Sequence, residues 1–236
     1  MRPGGKRATD WLILQANINA DTKILEVACN MGTTAIELAQ RYGCRIIGVD
    51  LNEEALEKAR RNAVAHGVAD RVQFMRGNAR ALQFDDASFD IVINEAMLTM
   101  LNEKDKLKAL QEYARVLKPG GCLLTHDMVL KETGTKRDNT LERLRATINV
   151  KASPLSSEEW DTLLSEQGFS VTALTGSMSL LSPSGMIRDE GFFNTLRIIK
   201  NALKSQNRPA FMRMFRMFRE SKERFGFIAT CSRKMI

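Results

Sequence analysis

The stretch that decides the fold is residues 24–34, ILEVACNMGTT, where an apolar run enters a turn of small residues. The run ILEVA is typical of a buried strand, and the following AIELAQRYG indicates a helix. A dinucleotide-binding turn needs G-x-G-x-x-G here so that backbone amides reach a pyrophosphate, whereas this turn has Ala28, Asn30 and Gly32. Asparagine tolerates positive φ and alanine is nearly as small as glycine, so the turn stays tight but suits a diphosphate poorly. No Gly-Lys-Ser/Thr follows, which excludes a phosphate-binding P-loop.

Strand-like and helix-like runs alternate from this stretch up to about residue 130. The strand-like runs are KILEVA, CRIIGVD, RVQFMRG, FDIVINEA and CLLTHDMVL, and helical runs connect most of them. Two further strand-like runs, FSVTAL and GFIATCSR, follow later in the chain. Repeated β-α units predict an α/β fold with a doubly wound, mostly parallel seven-stranded sheet and helices on both faces.

Local signals predict where several of these elements begin and end. Asn52 is the expected N-cap, and Gly67 the expected stop, of the helix after the second strand. Ser156 or Ser157 is the expected cap of the helical run SSEEWDTLLSEQG, which stops at Gly168. The KPGG turn is expected to end an amphipathic helix and to lead into a fifth strand that begins with CLLTHDMVL.

Composition and charge exclude several classes of protein. The 236-residue chain has no run of about 18 apolar residues, so no membrane span is expected, and its start lacks a signal-peptide core, which favours the cytoplasm. The four cysteines show no C-x-x-C spacing and only two histidines are present, so neither a disulfide framework nor a metal site is expected. From Arg197 onward the chain has eleven Lys and Arg residues and two acidic residues, Glu220 and Glu223. This excess of positive charge permits nucleic-acid contact without favouring it.

Five elements, in this order and spacing, resemble those of class I S-adenosylmethionine-dependent methyltransferases. They are Glu26 with ACNMG after the first strand, GVDLNEEAL with Asp50 after the second, RGNARAL, FDIVINEAML and ARVLKPGGCLL. The resemblance spans about residues 20–130, 156–175 and 226–234, and it departs from the family pattern in two lost glycines and in Asn78, where the family usually has an acid. It implies a Rossmann-like methyltransferase fold with S-adenosylmethionine as cofactor and S-adenosylhomocysteine as product.

The resemblance also implies which residues hold the cofactor. Asp50 is implied as the carboxylate that accepts hydrogen bonds from both ribose hydroxyls, which are bonds of the stronger, charge-assisted kind. Asn78 is implied near the adenine amine. Because this ligand ends in an amino acid rather than a phosphate, one or two amides near Cys29 and Asn30 at a helix N-terminus suffice to bind its carboxylate. The full implied set is Glu26, Ala28, Cys29, Asn30, Gly32, Asp50, Leu51, Asn78, Ala79 and Asn94.

Candidate catalytic residues follow the fourth and fifth strands. Methyl transfer is an in-line displacement in which positioning supplies most of the catalysis, and a base is needed only where the acceptor must lose a proton. His126 is a candidate because histidine titrates near neutral pH, and the alternative interpretation is a partly buried histidine that hydrogen-bonds a neighbouring loop. Glu95 is the second candidate and contacts either the acceptor or the methionine end of the cofactor. Asp127 is expected in a loop or cap, and Cys29 in packing rather than as a nucleophile.

A single domain, residues 1–236, is predicted in four parts. Residues 1–21 hold an N-terminal helix that either closes over the cofactor or caps the sheet edge, and residues 22–175 and 226–236 form the core. Residues 176–225 form a helical lid, in which LLSPSGMIRDEG is the substrate-facing or hinge loop. The last lid helix has an apolar stripe that is either a core face or part of a pocket, and the stripe comprises Phe211, Met214, Phe215 and Phe218.

The sequence leaves four functions open. The leading hypothesis is a methyltransferase for a small molecule held under the helical lid. An RNA methyltransferase is motivated by the basic C-terminal region, but N-E-A-M rather than N-P-P-Y follows the fourth strand. A degenerate fold without catalysis is motivated by the lost glycines, and a dehydrogenase is the fourth hypothesis. The acceptor atom cannot be predicted because fold does not set substrate, and a homodimer is left open.

Overall fold

Seven strands form one sheet in the part of the chain that the structure, a computed structural model, describes: residues 2–178, Ile187 and residues 192–235. The strands are β1 (Lys23–Val27), β2 (Arg45–Asp50), β3 (Val72–Arg76), β4 (Phe89–Glu95), β5 (Leu117–Leu130), β6 (Phe169–Ser177) and β7 (Phe225–Lys234). Their order is β3-β2-β1-β4-β5-β7-β6, and β7 alone is antiparallel to its neighbours. The predicted doubly wound, mostly parallel sheet is therefore confirmed.

Helices cover both faces of this sheet. The described helices are α1 (Gly5–Gln15), α2 (Thr33–Tyr42), α3 (Glu53–Ala65), α4 (Glu103–Val116), α5 (Gly134–Ile148), α6 (Ser157–Glu166), α7 (Phe192–Ala202) and α8 (Arg208–Glu220), with a 3₁₀ helix at Leu98–Met100. Apolar residues of α1, α2 and α3 pack on one face, and those of α4 and α6 pack on the other. Tyr113 and Trp160 are fully buried in the second layer, which anchors α4 and α6 to the sheet.

The predicted helix caps are present. The Asn52 side chain accepts a hydrogen bond from the Ala55 amide, 3.2 Å away, and Ser156 forms a reciprocal capping box with Glu159. Gly67 and Gly168 follow their helices with φ of 68° and 81°, the left-handed conformation in which glycine is favoured. Local sequence chemistry thus fixes the ends of α3 and α6.

The start of the fifth strand was predicted five residues too late. Leu117 already pairs with Phe89 of β4, so the KPGG segment lies within β5 rather than before it. The register shifts between Phe89 and Ile91, which marks a bulge. A Cβ at Gly121 would come within 2.8 Å of the Lys118 carbonyl oxygen, so the bulge requires glycine there.

The helix α8 packs its apolar face onto the sheet end. Its Met217 and Phe218 are buried against residues of α5 and the last part of β5, including Met128 and Leu130. The Met/Phe stripe therefore forms a core face, which is one of the two alternatives that its spacing allowed. The predicted substrate-facing loop LLSPSGMIRDEG lies outside the described residues except for Ile187.

Two further findings concern the described part of the chain. All four cysteines are buried free thiols. None of the described helices is both long and apolar enough to cross a lipid bilayer.

Candidate active site

The strand order of the sheet reverses between β1 and β4, and the region at the carboxyl ends of these two strands is called the crevice below. The strands β1 and β4 are neighbours, although β2 and β3 lie between them in the chain. In an open parallel sheet, ligands bind outside the carboxyl ends of the strands at such a switch point. The turn of residues 28–32 follows β1 at this edge, and Glu95 ends β4 beside it.

The turn after β1 has the backbone shape of a glycine-rich turn, although residues 28–32 contain one glycine. Ala28, Asn30 and Gly32 all adopt positive φ, at 58°, 50° and 72°. Only glycine adopts this region without strain, and asparagine tolerates it better than other residues. A side chain at Gly32 would run into the ring of Phe74, so this position also requires glycine for space. The expectation that Asn30 sustains a positive φ is met, and Ala28 carries strain.

Replacing Ala28 by glycine is expected to raise the free energy of unfolding by about 0.5–1 kcal/mol. The left-handed conformation costs an L-residue about 1–2 kcal/mol, and the greater chain entropy of glycine in the unfolded state offsets about 0.4–1 kcal/mol of that gain. Urea denaturation of the two proteins measures the difference. Ala65→Gly, on the exposed last turn of α3, is the matched control and is expected to destabilise by about 0.5–1 kcal/mol. A destabilised Ala28→Gly variant would contradict the strain argument.

Asp50 ends β2 and is hydrogen-bonded to the turn of residues 28–32. Its Oδ2 accepts a hydrogen bond from the Asn30 amide at 2.9 Å, and its Oδ1 accepts one from the Asn52 amide at the same distance. Leu51, the next residue, has a 60% exposed side chain at the edge of the crevice. The carboxylate is thus oriented beside the turn, as a partner for polar groups of a ligand requires.

Cys29 and Glu26 lie underneath the turn rather than in the crevice. Burial raises the pKa of the Cys29 thiol, which therefore stays protonated and acts in packing. Glu26 is 6% exposed and its Oε2 accepts a hydrogen bond from the Ala35 amide at 3.0 Å, which ties β1 to the first turn of α2. Burial, reinforced by the charge of Glu95, raises the pKa of Glu26 to about 8. Glu26 therefore supports the turn from below.

The ends of β3 and β4 contribute two asparagines. Asn78 follows β3, is half-buried beside Ala79, and its Oδ1 accepts a hydrogen bond from the Arg80 amide at 3.0 Å. Asn94, the next-to-last residue of β4, is fully buried and donates from Nδ2 to the Thr125 hydroxyl at 3.1 Å. The Oδ1 atom of Asn94 has no hydrogen-bond partner among the described residues. A buried acceptor without a partner costs about 1–3 kcal/mol, which indicates a donor supplied by a ligand or by solvent.

Glu95 joins four segments at the crevice. Its Oε2 lies 2.9 Å from Nε of Arg2 and accepts a hydrogen bond from the Thr34 hydroxyl at 3.1 Å. Its Oε1 accepts a hydrogen bond from the Thr9 hydroxyl at 2.5 Å and lies 3.4 Å from Nδ1 of His126. Burial alone raises the pKa of this carboxyl group, but the hydrogen bond from His126 and the charge of Arg2 outweigh burial and lower the pKa to about 2. Glu95 is therefore ionised.

The His126 ring is enclosed by the N-terminal segment. Its Nε2 accepts a hydrogen bond from the Gly4 amide at 2.8 Å, so the ring hydrogen is assigned to Nδ1, which faces Glu95. The side chain is 0% exposed. The sequence-predicted pair, Glu95 and His126, is thus brought together, but a ligand reaches the ring only after the segment around Gly4 moves. Its catalytic assignment stays a prediction.

Asp127, like His126, lies within β5 and not in the loop expected after it, because β5 pairs with β7 as far as Leu130; its buried carboxylate nevertheless acts as a cap. Its Oδ2 accepts a hydrogen bond from the Thr99 amide at 3.0 Å, and its Oδ1 accepts one from the Met128 amide at 2.8 Å. Burial raises the pKa of its carboxyl group. Asp127 fixes the 3₁₀ helix that follows β4 and does not open into the crevice.

Comparison with known proteins identifies the family. The methyltransferase domain family matches residues 24–121. An uncharacterised protein of Haemophilus influenzae is 54% identical over 99% of this chain and 93% of its own length. The 27-O-demethylrifamycin SV methyltransferase of Amycolatopsis mediterranei is 26% identical over 97% of this chain and 83% of its own. The crystal structure of MccD protein has the same fold, with a TM-score of 0.76 at 20% identity over 98% of this chain and 99% of that one.

The chain is a class I S-adenosylmethionine-dependent methyltransferase. The described residues of this methyltransferase suit such a cofactor, which has an adenine, a ribose and an amino acid in a row. Asn78, Asp50 and the turn of residues 28–32 follow three neighbouring strands, and Asn94 lies on the fourth. The unpaired Oδ1 of Asn94 offers an acceptor for an ammonium group at the amino-acid end of that row.

Sequence reasoning missed three residues of the methyltransferase crevice: Arg2, Thr9 and Thr34. Each bonds to Glu95 across at least sixty residues of chain, and no local pattern reports such a contact. The one signal near Arg2 is its place directly before Pro-Gly-Gly, where the chain turns into α1.

Proposed function

We propose that this methyltransferase transfers a methyl group from S-adenosylmethionine to a small organic acceptor near the carboxyl ends of β4 and β5. The observation that carries the proposal is the left-handed turn of residues 28–32 beside the Asp50 carboxylate. One relative, a 27-O-demethylrifamycin SV methyltransferase, supports a small-molecule acceptor by its name. A degenerate, inactive fold is less well supported because Ala28 keeps a strained backbone that a non-functional turn has no reason to keep.

The cofactor supplies a methyl group on a sulfonium, a leaving group that needs no further activation. In this proposal the Asp50 carboxylate accepts from the ribose hydroxyls, and the exposed side chain of Leu51 packs beside the adenine. Asn78 and Ala79 lie at the adenine end, and Asn94 at the amino-acid end, of the same row. The N-terminus of α2 is the part that faces the carboxylate, because the amides of Cys29 and Asn30, which were expected to bind it, already donate to the Val49 carbonyl oxygen and to Asp50. Catalysis then rests on position and on exclusion of water.

The proposed lid, residues 176–225, covers the acceptor side of this arrangement. Support comes from α8, whose buried face packs against α5 and against Met128 and Leu130 at the carboxyl end of β5. This end of β5 adjoins the end of β4, where the crevice lies. An apolar cover at this place excludes water from a bound acceptor.

Glu95 and His126 are proposed to hold the N-terminal segment over the crevice. Their hydrogen bonds reach Thr9 and Gly4, at the start of α1. A direct role for His126 as a base requires that residues 2–9 withdraw, since its Nε2 is occupied by the Gly4 amide. Acceptors that lose no proton need no such step.

Replacing Asp50 by alanine is expected to weaken S-adenosylhomocysteine binding at least tenfold, about 1.4 kcal/mol, because the variant loses a charged acceptor for the ribose. Isothermal titration calorimetry measures the dissociation constant. With methyl-labelled cofactor and a cell extract, the wild type should label the low-mass fraction, and the variant should label it more slowly.

Glu54→Ala is the matched control for Asp50→Ala. It removes the same charge from the exposed first turn of α3, without contact to the turn of residues 28–32, and should bind like the wild type. No binding of S-adenosylhomocysteine by the wild type would overturn the proposed function. Label confined to RNA would replace the small-molecule acceptor by a nucleic acid.

A further inference from the structure

Arg2 places its guanidinium across the crevice. Its Nε lies 2.9 Å from Oε2 of Glu95 at the end of β4, and its Nη2 donates to the Thr34 hydroxyl at 2.7 Å in the first turn of α2. Since α2 follows β1, the guanidinium bridges the two strands between which the strand order reverses. Its side chain is 21% exposed, so it is held in place yet open on one side.

The carboxylates around the crevice cannot bind the carboxylate of the cofactor, so this ligand group needs a cation such as Arg2. Asp50 and Glu95 are carboxylates at its two sides, and they suit the hydroxyls and the ammonium of the cofactor. The carboxylate of the cofactor needs the opposite charge. Arg2 is a cation that acts on both Glu26 and Glu95, and in each case it favours the ionised carboxyl group. The first turn of α2 contains no acidic side chain, so a negative group is not repelled there.

The fork of the guanidinium is only partly used. Contacts to Glu95 and Thr34 engage Nε and Nη2, and within the described ranges Nη1 makes no hydrogen bond to protein. An arginine offers five N–H donors in a rigid plane, which matches the two oxygens of a carboxylate. The contact to Glu95 holds the plane of the Arg2 guanidinium beside the N-terminus of α2. Binding of a second carboxylate therefore orders the Arg2 side chain little further.

We propose that Arg2 binds the carboxylate at the amino-acid end of the methyl donor, together with the N-terminus of α2. This inference rests on the proposed function. Bound in this way, the donor closes the network of Arg2, Glu95 and Thr9, and it holds α1 over the crevice. Arg2 therefore makes donor binding depend on a group that does not react.

A purely structural role for Arg2 makes a different prediction. A residue that only fastens the N-terminal segment affects every ligand of the crevice equally when it is removed. A residue that binds the donor carboxylate affects only ligands that contain this carboxylate. Decarboxylated S-adenosylmethionine separates the two cases because it keeps the adenine, the ribose, the sulfonium and the amine.

The test is calorimetry of wild type and Arg2→Ala with S-adenosylmethionine and with its decarboxylated form. We expect Arg2→Ala to bind S-adenosylmethionine at least tenfold more weakly and the decarboxylated form within twofold of wild type. Arg2→Lys keeps the charge but not the fork, and it should lose less than alanine does. Lys6→Ala is the control, since Lys6 pairs with Asp10 and Glu37 outside this network.

Two results would overturn the inference while leaving the proposed function intact. One is wild-type affinity of Arg2→Ala for S-adenosylmethionine. The other is an equal loss for both ligands in a variant whose thermal midpoint matches the wild type; if Arg2→Ala does not fold, the same comparison is made with Arg2→Lys. Failure of the proposed function looks different, because the wild type itself would then bind neither ligand.

Discussion

Replacing Glu95 by alanine is expected to lower the free energy of unfolding at neutral pH by about 3 kcal/mol. Removing one partner of a buried ion pair costs about 3–5 kcal/mol because the other charge is left uncompensated. The lower end applies because Arg2 is 21% exposed and can turn to solvent. A pKa lowered from 4.5 to about 2 corresponds to a similar figure at about 1.36 kcal/mol per unit. Urea denaturation measures the change.

The sign of the pH effect follows from the lowered pKa of Glu95. The ionised carboxylate stabilises the fold above the ordinary value of 4.5, and this stabilisation is lost as the pH falls toward 2. The difference between wild type and Glu95→Ala should therefore shrink in acid. Amide hydrogen exchange gives a local readout, because the Gly4 amide loses protection when His126 is no longer held.

The control for Glu95→Ala is Asp10→Ala, which lies on the N-terminal helix α1 that Glu95 contacts through Thr9. Asp10 pairs with Lys6 through side chains that are 40% and 43% exposed, and such pairs contribute about 0–1 kcal/mol. A Glu95→Ala variant within 1 kcal/mol of the wild type, or no more destabilised than Asp10→Ala, would show that the network at the crevice does not hold the segment.

Much of the fold could be predicted because its signals are local. The cap at Asn52 and the capping box at Ser156 need only neighbours three residues away. The periodicity of the apolar runs gave the strands, and the right-handed β-α units implied their arrangement. The start of β5 was wrong because pairing of Leu117 with Phe89 is a tertiary contact that overrides the turn chemistry of KPGG.

The residues of the site could be predicted only where they end or directly follow a strand. Asp50 and the turn of residues 28–32 stand directly after strands, and the structure brings them within hydrogen-bond distance. Arg2 could not be found, because its partner Glu95 is far along the chain and meets it only in the folded protein. The enclosure of His126 by Gly4 escaped prediction for the same reason.

Replacing Glu26 by glutamine is expected to stabilise the protein relative to wild type by about 4 kcal/mol more at about pH 8.5 than at about pH 5. Burial raises the pKa of Glu26 from 4.5 to about 8, so between these values the folded state holds a proton that the unfolded state releases. The wild type therefore loses stability as the pH rises through this window, by about 1.36 kcal/mol per unit. Glutamine is neutral and still accepts the hydrogen bond from Ala35.

The measurement is urea denaturation of wild type and Glu26→Gln across this pH range, with Glu112→Gln as the control. The hydrogen bond from Arg115 lowers the pKa of Glu112, so that carboxyl group is ionised throughout the window and its replacement should cost a constant amount. Curves for wild type and Glu26→Gln that stay parallel would mean that Glu26 is ionised beneath the turn. The negative charges of Glu26 and Glu95 would then face Arg2 together, and the balance that frees the guanidinium for a ligand carboxylate would be lost.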